Sequence, residues 1–178
     1  MHSVVDDVEP GVTARVPVMT LAGIRKSFGP VQALKGVDVL IVPGEVHAIV
    51  GENGAGKSTL IGVAAGVLQA DAGAIYYAGT YVEAPSPREM REDGVSVVYQ
   101  HPALANDLTV LENLQLAAPS LAAAGGNAEA ERILGRIATA ELLMPLNKRV
   151  GELSLAQRHV VEIACALATR PKVLFLDE

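Results

Sequence analysis

Gly51-Glu52-Asn53-Gly54-Ala55-Gly56-Lys57-Ser58-Thr59 is the stretch of this chain whose residue types and spacing could do chemistry. It satisfies G-x-x-x-x-G-K-[ST], the pattern of a phosphate-cradling loop. Glycines at 51, 54 and 56 let the backbone turn tightly. The N–H groups between Gly51 and Thr59, those of Asn53 and Ala55 among them, can then face inward as a nest for phosphate oxygens. A helix starting near Lys57 adds its positive N-terminal end. Lys57 has the reach and charge for β- and γ-phosphates, and the Ser58 hydroxyl suits Mg²⁺. A second acidic feature closes the chain: Val173-Leu174-Phe175-Leu176 runs into Asp177-Glu178, the form of a Walker B strand. Asp177 at the strand end can hold Mg²⁺, directly or through water. Glu178 can polarise an attacking water as general base. Together these residues suit a nucleoside triphosphate with Mg²⁺.

Such a loop needs a strand before it and a helix after it. Val46 to Val50 reads as a buried strand in which His47 is the only polar member, and Thr59 to Ala65 reads as an apolar-faced helix. Upstream, Met19 to Ile24 and Val37 to Val42 read as strands, the second ended by Pro43-Gly44. Gly73 to Tyr77 and Thr80 to Val82 form a hairpin pattern around Ala78-Gly79. Ser86-Pro87-Arg88-Glu89 and Thr109-Val110-Leu111-Glu112 are capping boxes that open helices. Val95 to Tyr99 is a strand pattern that delivers Gln100 at its end. Pro119 to Gly126 reads as a loop, and Asn127 can cap a helix running to about Leu143. Ser154 can cap another helix, which Pro171 stops. The pattern predicts an α/β fold: a β-rich start, a parallel core of P-loop NTPase type and a helical insertion over about 101–155. Residues 1–17, with Pro10, Gly11 and Pro17, read as a loose leader before a domain over 18–178.

The chain has 178 residues, half of them hydrophobic and 3% aromatic, so its core is Val, Leu, Ile and Ala. A net charge of −6 argues against a general nucleic-acid binder. The single cysteine, Cys165, excludes an internal disulfide and reads as a small apolar helix residue. His2, His47, His101 and His159 have no metal-ligand spacing. No run of apolar residues is long enough to span a membrane, and the first residues lack signal-peptide character. A soluble, intracellular setting is expected.

Three further stretches carry a resemblance. Gly151-Glu152-Leu153-Ser154-Leu155-Ala156-Gln157-Arg158 lies shortly before the acidic strand, Val97-Val98-Tyr99-Gln100 ends an apolar run, and Lys26-Ser27-Phe28-Gly29 lies upstream of the loop. With the loop, they resemble the nucleotide-binding domain of ABC transporters over about residues 19–178. The resemblance implies an ABC ATPase core with an N-terminal antiparallel β subdomain and an inserted helical subdomain. It implies that Phe28 stacks on adenine, that Gln100 belongs to a Q-loop near metal and water, and that Ser154 and Gln157 belong to a signature serving a partner's γ-phosphate. Leu155 and Ala156 stand where the general signature has two glycines. Val150 to Gln157 is similar instead to the variant in bacterial ATP-binding proteins of monosaccharide importers. Ala70-Asp71-Ala72-Gly73 and Leu108 to Asn113 lean the same way.

That resemblance implies an ATP-hydrolysing subunit at the cytoplasmic face of a membrane. Its partners would be a second ABC domain, in the same chain or in a homodimer, and transmembrane permease subunits. A periplasmic or extracellular sugar-binding protein would be involved indirectly, and nucleic acid not at all. Leu104 and Leu108 are candidates for the permease-facing surface, with burial in the insertion as the alternative. The family continues beyond the Walker B glutamate with a D-loop and a switch histidine, so the chain reads as the first part of a longer protein that would be an ATPase at full length, with turnover impaired in this part alone. Apolar surface is expected along Val173 to Leu176. Three alternatives stand beside sugar import: a nucleoside importer, a nucleotide-binding module without turnover, and a soluble ABC protein of the ribosome or of DNA repair, which the signature argues against.

Overall fold

The computed structural model describes residues 16–177. Most of the expected leader and the candidate base Glu178 lie outside the described residues.

Two antiparallel hairpins open the fold. β1 (Met19–Phe28) pairs with β2 (Val31–Ile41) around Gly29-Pro30, with Phe28 opposite Val31 and Met19 opposite Ile41. Both strands are longer than their apolar runs, because ladder hydrogen bonds are made by backbone and continue through polar Lys26, Gln32 and Lys35. β3 (Ala72–Tyr77) and β4 (Thr80–Val82) join at Ala78-Gly79, both with positive φ, as a tight two-residue turn of primed type demands. The sheet order is β2-β1-β3-β4.

α1 (Lys57–Ala64) follows the glycine loop. Leu60, Ile61 and Val63 bury against Met19, Leu21, Ile24 and Ile75 of the sheet. α2 (Pro87–Asp93) starts with the expected capping box, and Met90 enters the same core. β5 (Val95–Val98) and β6 (Val173–Leu176) pair in parallel, Val95 with Val173 and Val98 with Leu176. Val95, Val173 and Phe175 complete this first core.

Between β5 and β6 the chain builds a second core. α3 (Val110–Ala117), α4 (Gly126–Ile137) and α5 (Leu155–Ala168) pack Val110, Leu114, Leu134, Val161 and Ala164 together. Capping boxes at Thr109/Glu112 and Ser154/Gln157 set the starts of α3 and α5. α4 departs from expectation at both ends. Its N-cap is Gly125, not Asn127, which lies inside the helix. A Cβ on Gly126 would lie 1.8 Å from the Leu121 carbonyl oxygen, so a close backbone approach fixes this start. The helix ends at Ile137 because Ala138 turns extended and Leu142 and Leu143 donate into a turn at Thr139. Part of the expected loop before it is a 3-10 turn, Pro119–Ala122.

The largest correction concerns residues 46–50. They form no strand, and Val46 and Val50 are 100% and 91% exposed. An extended segment becomes a strand only through hydrogen bonds to a neighbour, and β6 pairs with β5 alone. A cleft of about 550 Å³ lies between residues 42–49 and 172–177. The expected exposure along β6 is confined to one face: Leu176 is exposed while Val173 and Phe175 are buried, as the two-residue period of a strand requires. Among the described residues, no helix is long and apolar enough to cross a membrane.

Candidate nucleotide site

Gly56 has φ 93° and caps α1. A Cβ there would lie 2.5 Å from the Ala33 carbonyl oxygen and 3.1 Å from Leu34 Cδ2. The loop therefore lies directly against β2, and only glycine permits both the left-handed turn and the approach. The first turn of α1 contains no acidic residue, so its positive end is not offset. Gly51 through Ala55 are exposed, and the Ala55 N–H donates to the Glu52 carbonyl at 3.0 Å to close the turn. The loop is thus exposed, but the Ala55 N–H expected in the nest is turned to the Glu52 carbonyl instead.

Lys57 Nζ donates to the carbonyls of Gly51 at 2.8 Å and Glu52 at 3.2 Å, which holds the ammonium within the loop. Ser58 Oγ donates to Asp177 Oδ1 at 3.0 Å, across 119 residues of chain. Asp177 is fixed in turn by its N–H, which donates to the Val98 carbonyl at 2.9 Å and extends the β5–β6 ladder by one residue. Gln100, two residues beyond Val98, leaves the same carboxyl edge and is exposed. Ligands of parallel α/β sheets gather at that edge.

A hydroxyl beside a carboxylate is a hard-oxygen donor pair. Among the described residues there is no group of three or more His, Cys, Asp or Glu side chains that could hold a metal ion. Mg²⁺ takes one or two protein oxygens and fills its remaining positions with water and phosphate, so Ser58 and Asp177 fit it.

Phe28 lies at the tip of the β1–β2 hairpin and is 48% exposed. Its partner Val31 is two residues, roughly 7 Å along the strand, from the Ala33 carbonyl that abuts Gly56. Lys26 Nζ stands 5.7 Å from the ring centroid. Ser154 and Gln157 lie elsewhere, on the helical unit. Ser154 Oγ accepts from the Gln157 N–H at 3.3 Å, and Gln157 Oε1 accepts from the Ser154 N–H at 3.2 Å. Among the described residues, no hydrogen bond joins either to the phosphate loop.

Two acidic groups have contacts that sequence reasoning did not find. Asp71 accepts from the Ser27 N–H and from Lys26, and these bonds, Lys26's first, hold its carboxyl below the usual range. Glu162 is buried, takes the Ala103 N–H at 3.4 Å on Oε1, and has no hydrogen-bond partner on Oε2. No local pattern reveals these contacts, since the partners lie 44 and 59 residues away. Glu162 lines a cleft of about 370 Å³ between the two cores, with Tyr99, Leu104 and Cys165. Burial, then the Glu162 charge, pushes the Cys165 thiol up to about 12, which suits an inert packing role. Leu104 also packs partly buried against the helical core.

The ABC transporter family model matches residues 34–178. The chain is 40% identical to the ribose import ATP-binding protein RbsA 1 of Streptomyces coelicolor, over 95% of this chain and 34% of that protein. It is 42% identical to a putative ribose/galactose/methyl galactoside import ATP-binding protein of Burkholderia cenocepacia, over 90% of this chain and 32% of that one. The chain thus spans about a third of the length of these relatives. Among solved structures, it superposes on a nucleotide-free ATP-binding cassette from an ABC transporter with a TM-score of 0.76 and 33% identity, covering 91% of this chain and 69% of that one. A cassette solved in its ADP conformation gives a TM-score of 0.73 at 32% identity, covering 89% and 67%. By the family match over most of its length and its likeness to solved cassettes, this chain belongs to the ABC transporter family as part of an ATP-binding cassette.

Proposed function

We propose that the chain is part of an ATP-binding subunit that energises import of a sugar through a membrane permease. The observation that carries the nucleotide reading is the Ser58–Asp177 contact at 3.0 Å beside Lys57. It brings the glycine loop and the acidic strand together, where they would grip triphosphate and metal. The loop N–H groups would bind phosphate oxygens, and Lys57 would exchange its carbonyl partners for them. Ser58, Asp177 and Gln100 would hold Mg²⁺, which neutralises phosphate charge when bound. Phe28 would carry the adenine, and Glu178 would accept the proton of the attacking water. Ser154 and Gln157 would serve the ATP of a second cassette, which accords with their bonding to each other and not to this loop among the described residues. The similarity to ribose and galactoside import proteins supports sugar as cargo. The cleft between the cores, lined by Leu104, is the surface proposed to meet the permease at the cytoplasmic face.

Calorimetric titration with MgATP tests the site. Lys57→Ala removes a charged hydrogen-bond donor and should weaken binding about 10- to 100-fold. Wild-type affinity in that variant would sink the assignment. For the cargo, uptake of labelled ribose, galactose and nucleosides by cells lacking the gene decides between a sugar and a nucleoside importer. Phosphate release that vanishes in Glu178→Gln decides between an ATPase and a module that only binds.

A further inference from the structure

We propose that Asp71 positions Phe28 as the platform on which the base of the bound nucleotide stacks. The inference rests on the reading of Phe28 above and adds the group that aims it.

Asp71 lies just before β3 and clasps three successive residues of β1. Its N–H donates to the Arg25 carbonyl at 2.8 Å. Its Oδ1 takes the Lys26 ammonium at 2.9 Å, and its Oδ2 takes the Ser27 N–H at 2.7 Å. The β1–β2 register shifts between Lys26 and Ser27, so the ladder is irregular at the residue before Phe28. The Asp71 carboxylate supplies an acceptor for the Ser27 N–H at that break. It also holds the Lys26 side chain, which is only 17% exposed, in place. The Lys26 ammonium in turn stands 5.7 Å from the Phe28 ring centroid. A cation on an aromatic ring attracts its π-face, which steadies the ring while leaving surface for a base. The hairpin that bears Phe28 touches the phosphate loop through Ala33 and Gly56. One carboxylate thus fixes both the backbone and the cation that orient the ring.

A brace for the hairpin alone would make the same contacts, so the test needs a readout that depends on the base. Affinity for MgATP is compared with affinity for inorganic tripolyphosphate, which has the phosphates and no base. Asp71→Ala should weaken MgATP about tenfold and leave tripolyphosphate within about twofold. Asp71→Asn keeps an oxygen for the Ser27 N–H and should lose less. Lys26→Met keeps the Ser27 contact, removes the cation and should lose about threefold for MgATP only. It carries the test if melting curves show that Asp71→Ala does not fold. In a Phe28→Ala background, Asp71→Asn and Lys26→Met should cost nothing further. Equal weakening of both ligands by the Asp71 and Lys26 variants, or no weakening of either, overturns the proposal. If Phe28→Ala itself keeps the full preference for ATP over tripolyphosphate, the stacking reading fails and the proposal falls with it. If Phe28→Ala loses that preference and the Asp71 and Lys26 variants keep it, the positioning inference alone fails.

Discussion

At the residue scale, the site depends on pairs that divide the labour of holding charge. Ser58 and Asp177 present two oxygens of different kind 3.0 Å apart, one a neutral donor and one an anion. The neutral oxygen can accept a metal without adding charge repulsion to the phosphates, while the anion gives the metal its electrostatic anchor. Ser58→Ala keeps the loop glycines and Lys57, so nucleotide should still bind. What should fall is the gain from Mg²⁺, by about tenfold, on the scale of a lost charged contact. Titrations of ATP with magnesium and with chelator measure that ratio. An unchanged ratio would place the metal away from Ser58.

At the element scale, three helices start on reciprocal capping boxes: Ser86/Glu89, Thr109/Glu112 and Ser154/Gln157. In the first two, the glutamate is held below its usual pKa. For Glu89 the Ser86 hydroxyl contributes most, and for Glu112 the Thr109 N–H does. A depressed carboxylate stabilises the fold above its unfolded pKa, and this contribution is lost as pH falls through the folded value. The melting temperature should therefore drop as pH goes below about 4. Glu112→Gln should flatten part of that drop, which melts by circular dichroism across pH will register. Thr109→Ala should cost about 1 kcal/mol at neutral pH. A melting temperature equal to wild type at pH 7 would mean that the α3 start is held by tertiary contacts instead. Thr109 has such a contact, an isolated bridge to Arg149.

At the scale of the whole molecule, two cores share one chain, and the helical core is inserted between β5 and β6. Val98 and Leu176 are adjacent in the parallel ladder, although residues 99–175, most of them in the helical insertion, separate them along the chain. Movement of the insertion against the sheet would therefore act on the segment carrying Gln100, which leaves β5 at that junction. The segment before the phosphate loop is exposed and lies outside the first core. Residues 46–50 donate no backbone hydrogen bond among the described residues. Hydrogen exchange should find their amides close to unprotected rates, while the buried sheet positions Leu21 and Ile24 exchange slowly. Strong protection across 46–50 would show that this segment is paired in solution.

Much of this was legible in order along the chain because the interactions concerned are local. A glycine loop, a capping box and a two-residue turn each close hydrogen bonds within a few residues, so consecutive letters specify them. The sequence therefore determined the phosphate loop, the starts of α2, α3 and α5, and the hairpin at Ala78-Gly79. Distant partners decided the rest. Ser58 meets Asp177 across 119 residues, and Asp71 reaches Ser27 across 44. The Leu121 carbonyl, through its approach to Gly126, outweighed Asn127 as the marker of the α4 start. Val46 to Val50 has the composition of a strand and no strand hydrogen-bonded to it. Composition gives a segment its preference for extended backbone, whereas a ladder also needs a neighbour's donors and acceptors at hydrogen-bonding distance, and only the tertiary structure supplies or withholds those.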